Sequence, residues 1–154
     1  MHEIRSGVVF KDANVTLTAF QVRHGDVDTY GYRFTTLDRT IVISGDTAPT
    51  DAIVENCHNC DILIHEAYTK ASVDLVPEPW QKYRSAFHTS APQLEQIANK
   101  TKPGLLILYH RANPGCDQAG TSACREAGSE QELLKEVRQI YLGRVVAGHD
   151  LDVY

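Results

Sequence analysis

No run of apolar residues in this chain approaches the roughly 20 that a membrane-spanning helix needs. A transmembrane helix is therefore excluded at the outset. No long block of like charges occurs either, and the formal net charge is -5. A general electrostatic grip on nucleic acid or on an acidic membrane is not expected, although a local basic loop stays open. The first residues, Met-His-Glu-Ile-Arg, lack the apolar core of a signal peptide, so a cytoplasmic setting is the expectation. In that setting the four cysteines are expected as thiols and not as disulfides. Internal repeats and low-complexity segments are absent as well, which removes repeat architectures. What remains is ordinary globular composition, 42% hydrophobic and 23% charged. Residues 1–154 suit a single domain with a real core.

Three apolar runs organise the chain. Thr40-Ile-Val-Ile-Ser-Gly-Asp-Thr47 reads as a short buried strand ending in a small-residue turn that carries Asp46. Asp61-Ile-Leu-Ile-His65-Glu66 ends in His and Glu, and Gly104-Leu-Leu-Ile-Leu-Tyr-His110 ends in His. If these are parallel strands joined by right-handed helical crossovers, their polar tips fall on one edge of one sheet. The carboxyl edge is where α/β proteins place ligands. Asp and His are also suitable donors for zinc or a similar metal.

The rest of the chain reads in two grammars. Residues 7–10, 14–22, 30–36 and 40–44 are expected as an antiparallel meander, with period-two alternation at Val15, Leu17 and Ala19. After Asp46 the pattern becomes α/β. Thr50 caps a short helix ending near Asn56 to Asn59, and the 61–64 strand follows. Residues 67–87 read as a long irregular connection holding Pro77, Pro79, Trp80, Lys82, Tyr83 and Arg84. Loops of that length inside a domain are often functional. Thr89-Ser90-Ala-Pro92 opens a helix with Leu94, Ile97 and Ala98 on one face, and Thr101-Lys-Pro-Gly104 stops it. The 105–109 strand comes next, then a Gly- and Cys-bearing loop over 111–128. Ser129-Glu-Gln-Glu132 is a capping box for a last helix with Leu133, Leu134, Val137 and Ile140 inward. Two short strands, 144–147 and 151–154, close the chain.

Each polar tip has a bland reading beside the functional one: Asp46 as a turn former, a strand-end His as a hydrogen-bonded structural residue. Their coincidence at one edge favours a site. His88 adds to it, just before a helix N-terminus where backbone N–H groups favour an anion such as phosphate.

Ser44-Gly-Asp46-Thr47, Ile64-His65-Glu66-Ala67, Phe87-His88-Thr89-Ser90 and Leu106-Ile-Leu-Tyr-His110 occur in this order. So arranged, they resemble the C-terminal half of the metallo-β-lactamase superfamily, in its ribonuclease Z and arylsulfatase-like branch. Arg23-His24-Gly25 with Tyr30-Gly31-Tyr32-Arg33, and the closing Val145 to Tyr154 segment, are similar to the same branch. The resemblance runs from about residue 14 onward. It implies an α/β fold (α+β by strict count): half of an αββα sandwich, a mixed sheet with helices on one face. It implies that Asp46 bridges two metal ions, zinc or manganese, and that His110 completes the second ion's ligands. His88 would hydrogen-bond the phosphate or leaving-group oxygen as a general acid. His65 and Glu66 would support the site, and His24 would line the substrate side. Thr89, Lys82 and Arg84 are added as substrate-side candidates, with Trp80 and Tyr83 able to stack on a ring.

The family's His-x-His-x-Asp-His signature has no counterpart in the chain. Asp46 and His110 alone are two ligands where an open catalytic site keeps three. The expectation is a metal-dependent hydrolase of a phosphate- or ester-bearing substrate, with nucleic acid open but not indicated by charge. The isolated chain would be incomplete and would hold metal weakly or not at all. Such a half exposes a sheet face, so homodimerisation or pairing with an N-terminal half is expected. The rival is a non-enzymatic half-domain that dimerises or binds a partner or an anion. Cys57-His-Asn-Cys60 could suggest zinc or redox chemistry with Cys116 and Cys124. The expected topology opposes this, placing the two cysteine pairs at opposite edges of the sheet.

Overall fold

The computed structural model describes residues 3–111 and 122–154. Among these, seven strands form one sheet in chain order. They are β1 (Gly7–Lys11), β2 (Thr16–His24), β3 (Val27–Thr35), β4 (Thr40–Ile43), β5 (Ile62–Glu66), β6 (Leu105–Tyr109) and β7 (Val145–Ala147). The helices are α1 (Asp51–Asn56), α2 (Lys70–Val73), α3 (Glu78–Phe87), α4 (Ala91–Thr101), α5 (Ser122–Ala127) and α6 (Glu130–Val137). Pairing is antiparallel from β1 to β4 and parallel from β4 to β7. The sheet is thus mixed and the fold α/β, as the change of grammar after Asp46 implies.

The parallel half explains where the core sits. Each connection from β4 onward steps to the next strand in the same direction, and right-handed crossovers of that kind place their helices on one face. Val42, Leu63, Leu106 and Leu108 point to that face, against Ile53 of α1, Leu94 and Ile97 of α4, and Leu133 and Val137 of α6. Strand alternation sends Ile41, Ile43, Ile62 and Ile64 to the opposite face, where they remain partly exposed.

Helix α4 forms where its signals place it. Ser90 and Gln93 make a capping box, Pro92 lies in the first turn, and Lys102 ends the helix at φ 48°. The Ser129 hydroxyl accepts the Glu132 N–H at 3.3 Å to open α6.

Several expectations are corrected. Residues 67–87 are not irregular: they hold α2, capped by Thr69, and α3, whose Pro79 lies in the first turn. A proline there has no N–H to waste, so it begins a helix where the sequence suggested a break. Part of the 111–128 loop is helical as α5, and Cys116 lies outside the described residues. The second strand starts at Thr16, because the Asp12 carboxylate takes the N–H groups of Asn14 and Val15, both at 2.8 Å. Ile140 falls beyond α6 and is 64% exposed. Residues 151–154 form no strand: Leu151 has φ 69° and the segment is exposed.

The thiol expectation is also overturned. Cys57 and Cys60 form a disulfide with a Cα–Cα distance of 4.8 Å, and Cys124 is disulfide-bonded too. Cys57 is the C-cap of α1, and Asn59 at φ 53° turns the chain back on itself. That tight turn brings the pair within bridging range, which spacing alone does not reveal.

Candidate active site

The parallel register carries the strand ends to a common edge: Ile43 lies opposite Ile64, and Ile64 opposite Ile107. Gly45 turns the chain after β4 at φ +64°, and a Cβ there would stand 2.7 Å from the Tyr30 carbonyl oxygen. Only glycine suits the position, and the turn presents Asp46. His110 follows β6 at φ 47°, a left-handed conformation costly for a non-glycine residue and common at functional sites. The two tips meet, with Asp46 Oδ2 3.3 Å from His110 Nε2.

Beside them sits a buried acid–imidazole pair. His88 ends α3, and its Nδ1 lies 2.9 and 3.0 Å from the two Glu66 carboxylate oxygens. Glu66 is 1% exposed and also accepts the Thr47 N–H at 2.6 Å. Its carboxylate holds the proton of His88 on Nδ1, which reserves Nε2 for chemistry. The His88 and His110 ring centroids are 5.6 Å apart.

His24 lies on the other side of His88, edge-on at 5.1 Å between centroids, with Nδ1 2.8 Å from the Phe87 carbonyl. Gly25 N–H donates to the Ala86 carbonyl at 3.3 Å. The β2–β3 turn thus satisfies carbonyls left open at the end of α3, and so fixes the residue that follows, His88. A side chain on Gly25 would collide with the Phe87 ring at 2.2 Å.

The other candidates take different places. Thr89 is fully buried, and its hydroxyl donates to the Thr47 carbonyl at 2.7 Å, latching the Asp46 loop to the start of α4. His65 faces the helical core: its Nδ1 donates to the Glu66 carbonyl at 2.7 Å, and its buried Nε2 has no partner among the described residues. Burial pushes its pKa down to about 4. Lys82 is exposed and paired with Glu78 at 2.7 Å along α3. Arg84 is 4% exposed with its guanidinium over the Tyr68 ring. Trp80 packs against Val76 and Cys124, edge-on to Tyr83. The structure therefore brings together Asp46, Glu66, His88, His110 and His24, and leaves His65 and Lys82 outside that group, while Arg84 lies behind it, near enough for its charge to interact with that of Glu66.

One neighbour was missed. Tyr109 lies opposite Glu66 in register, close to Ser44, Gly45 and Asp46 of the turn that follows β4. Burial above all, then the Asp46 and Glu66 charges, push its pKa up to about 12. The sequence signal was its place one residue before His110, on the Glu66 side of the alternation.

A metal needs more than the described residues offer. Among the described residues no group of three or more His, Cys, Asp and Glu could hold an ion. Asp46 and His110 are the right donor types but one short of an open catalytic shell, so by themselves they do not make a metal site.

A mixed sheet carrying its acids and imidazoles at the parallel strand ends defines the class of protein. Residues 1–111 match the family model described as a β-lactamase superfamily domain, and the chain belongs to the metallo-β-lactamase superfamily. Within it, relatives include ribonuclease Z of Mycobacterium sp. (strain KMS), 28% identical over 115 residues, 74% of this chain and 40% of that protein. The metallo-β-lactamase fold protein YhfI of Bacillus subtilis superposes with a TM-score of 0.66 at 20% identity, over 90% of this chain and 49% of that one. The short form of human tRNase Z matches with a TM-score of 0.54 at 26% identity, over 67% of this chain and 38% of that one. The chain spans less than half the length of each of these proteins.

Proposed function

We propose that the chain supplies one half of a hydrolase site for phosphodiesters or related esters, with His88 as proton donor to the leaving oxygen. The observation that carries this reading is the Glu66–His88 pair, bonded at 2.9 Å in a buried position beside Asp46 and His110. A carboxylate on Nδ1 orients the imidazole and supports the charge it acquires, so Nε2 is the nitrogen that can deliver and recover a proton. His24 and the Gly25 turn hold α3 so that His88 keeps its place. Asp46 and His110 would share an ion, zinc or manganese, only with ligands from outside the described residues, supplied by an N-terminal half or a second copy. The test is hydrolysis of bis(p-nitrophenyl) phosphate after metal-free purification, with zinc or manganese restored. Turnover should be lost in Asp46→Ala and His88→Ala. Turnover unaffected by either substitution would sink the proposal.

A second reading rests on the half-exposed apolar row Ile41, Ile43, Ile62 and Ile64. Faces of this kind are interfaces, and here the occupant would be a second copy, giving a dimer without turnover of its own. Sedimentation at micromolar concentration separates the cases, since a monomer contradicts the dimer. A cytoplasmic setting belongs to the same proposal. Cell fractionation would test it.

A further inference from the structure

A cleft of about 440 Å³ lies between α1 and α4, next to the end of β2. Its lining includes none of Asp46, Glu66, His88 or His110, so it is separate from the candidate active site. Val54 and Ile97 contribute apolar surface, while Arg23, Lys100 and Gln96 present donors and Asp51 an acceptor. Arg23, Lys100 and Asp51 are exposed, and none of them has an ion-pair partner among the described residues. Two unneutralised cations in one concavity focus a positive potential that an anion would offset.

We infer that this cleft binds a small phosphorylated ligand bearing hydroxyl groups, of the chemical class of a nucleoside monophosphate. Arg23 and Lys100 take the phosphate, Arg with its planar fork and Lys as a point charge. Asp51 accepts from a sugar hydroxyl, and the ring covers Val54 and Ile97. A bare phosphate would leave Asp51 and the apolar surface without a role. An uncharged nucleoside would leave both cations unmatched. The volume is within the range of small-ligand sites. The site stands independently of any hydrolysis at His88, because the two share no residue.

The experiment titrates the full chain with adenosine monophosphate, inorganic phosphate and adenosine, read by calorimetry and by backbone amide shifts. Adenosine monophosphate should bind saturably with a Kd below about 1 mM, with shifts centred on residues 50–54 and 93–100. Arg23→Ala and Lys100→Ala should each weaken it about tenfold, the loss of one charge-assisted bond. Asp51→Asn should erase its advantage over inorganic phosphate, and His88→Ala should change nothing. These side chains are exposed, so circular dichroism should show each variant folded. Shifts centred on His88 and His110, equal affinity for inorganic phosphate or for adenosine, or no saturation would each overturn the inference.

Discussion

Replacing His65 with leucine is expected to flatten the acid side of the stability profile. The imidazole is fully buried on the helical face of β5, and burial lowers its pKa from 6.5 to about 4, outweighing the hydrogen bond to the Glu66 carbonyl. The unfolded chain therefore binds this proton from 6.5 downward, while the folded chain refuses it until about pH 4. His65 leaves stability intact above 6.5 and removes it as the pH falls through that window, after which its effect is constant. Each pH unit costs about 1.4 kcal/mol, and the whole window costs about 3 kcal/mol. Urea melts at several pH values, on wild type and His65→Leu, measure the difference in slope. Leucine also removes an unpartnered Nε2 and a bond to Glu66, so the offset between the curves near neutrality is not the test; the slope is. Equal slopes would refute the reasoning, as would an NMR titration placing His65 near 6.5. Glu95 does not mimic the effect. Its pKa is raised by burial and then by Glu136, so the folded state favours its proton and it gains stability on acidification.

Reducing the Cys57–Cys60 bridge should cost little despite its burial. Its four-residue ring constrains the unfolded chain by about 2 kcal/mol in the loop-entropy model, which melts of wild type against a Cys57→Ala, Cys60→Ala double variant would show, since reductant would also open the disulfide of Cys124. Gly45→Ala should lose about 1–3 kcal/mol, since the added Cβ meets the Tyr30 carbonyl at 2.7 Å and φ is +64°; the melting temperature reports it, and an unchanged value would mean the turn relaxes freely. Leu94→Ala, in the α4 face that is wholly buried, should lower the urea midpoint by the equivalent of about 2–5 kcal/mol. A loss below about 1 kcal/mol would show that the helical layer collapses around the gap.

Much of the architecture was legible because local signals agreed with one another. The apolar runs ending at Asp46, Glu66 and His110 are strands, and the Ser90 and Ser129 caps open helices at those positions. The stretch 67–87 misled because two prolines and a polar composition imitate a loop, whereas their placement ahead of and within a first helical turn does the opposite. At the site, pattern could nominate Asp46, Glu66, His88 and His110 but not say which of them touch. His65 and Glu66 are adjacent in sequence and chemically similar as candidates. Strand alternation sends one into the helical core and the other to His88, and nothing in the composition of the motif distinguishes them.

The sequence by itself determined the order of the strands from β1 to β7, the mixed sheet and the residue types at its polar edge. Periodicity, caps and turns act over a few residues, so they can be read locally. Only the tertiary structure decided that Asp46 meets His110, that Glu66 holds His88, and that Cys57 closes on Cys60. It also withdrew Arg84 and His65 into the interior and set Arg23 beside Lys100 in a cleft. Each of those depends on side-chain direction and on contacts between segments far apart in the chain, which are settled when the elements pack and not before.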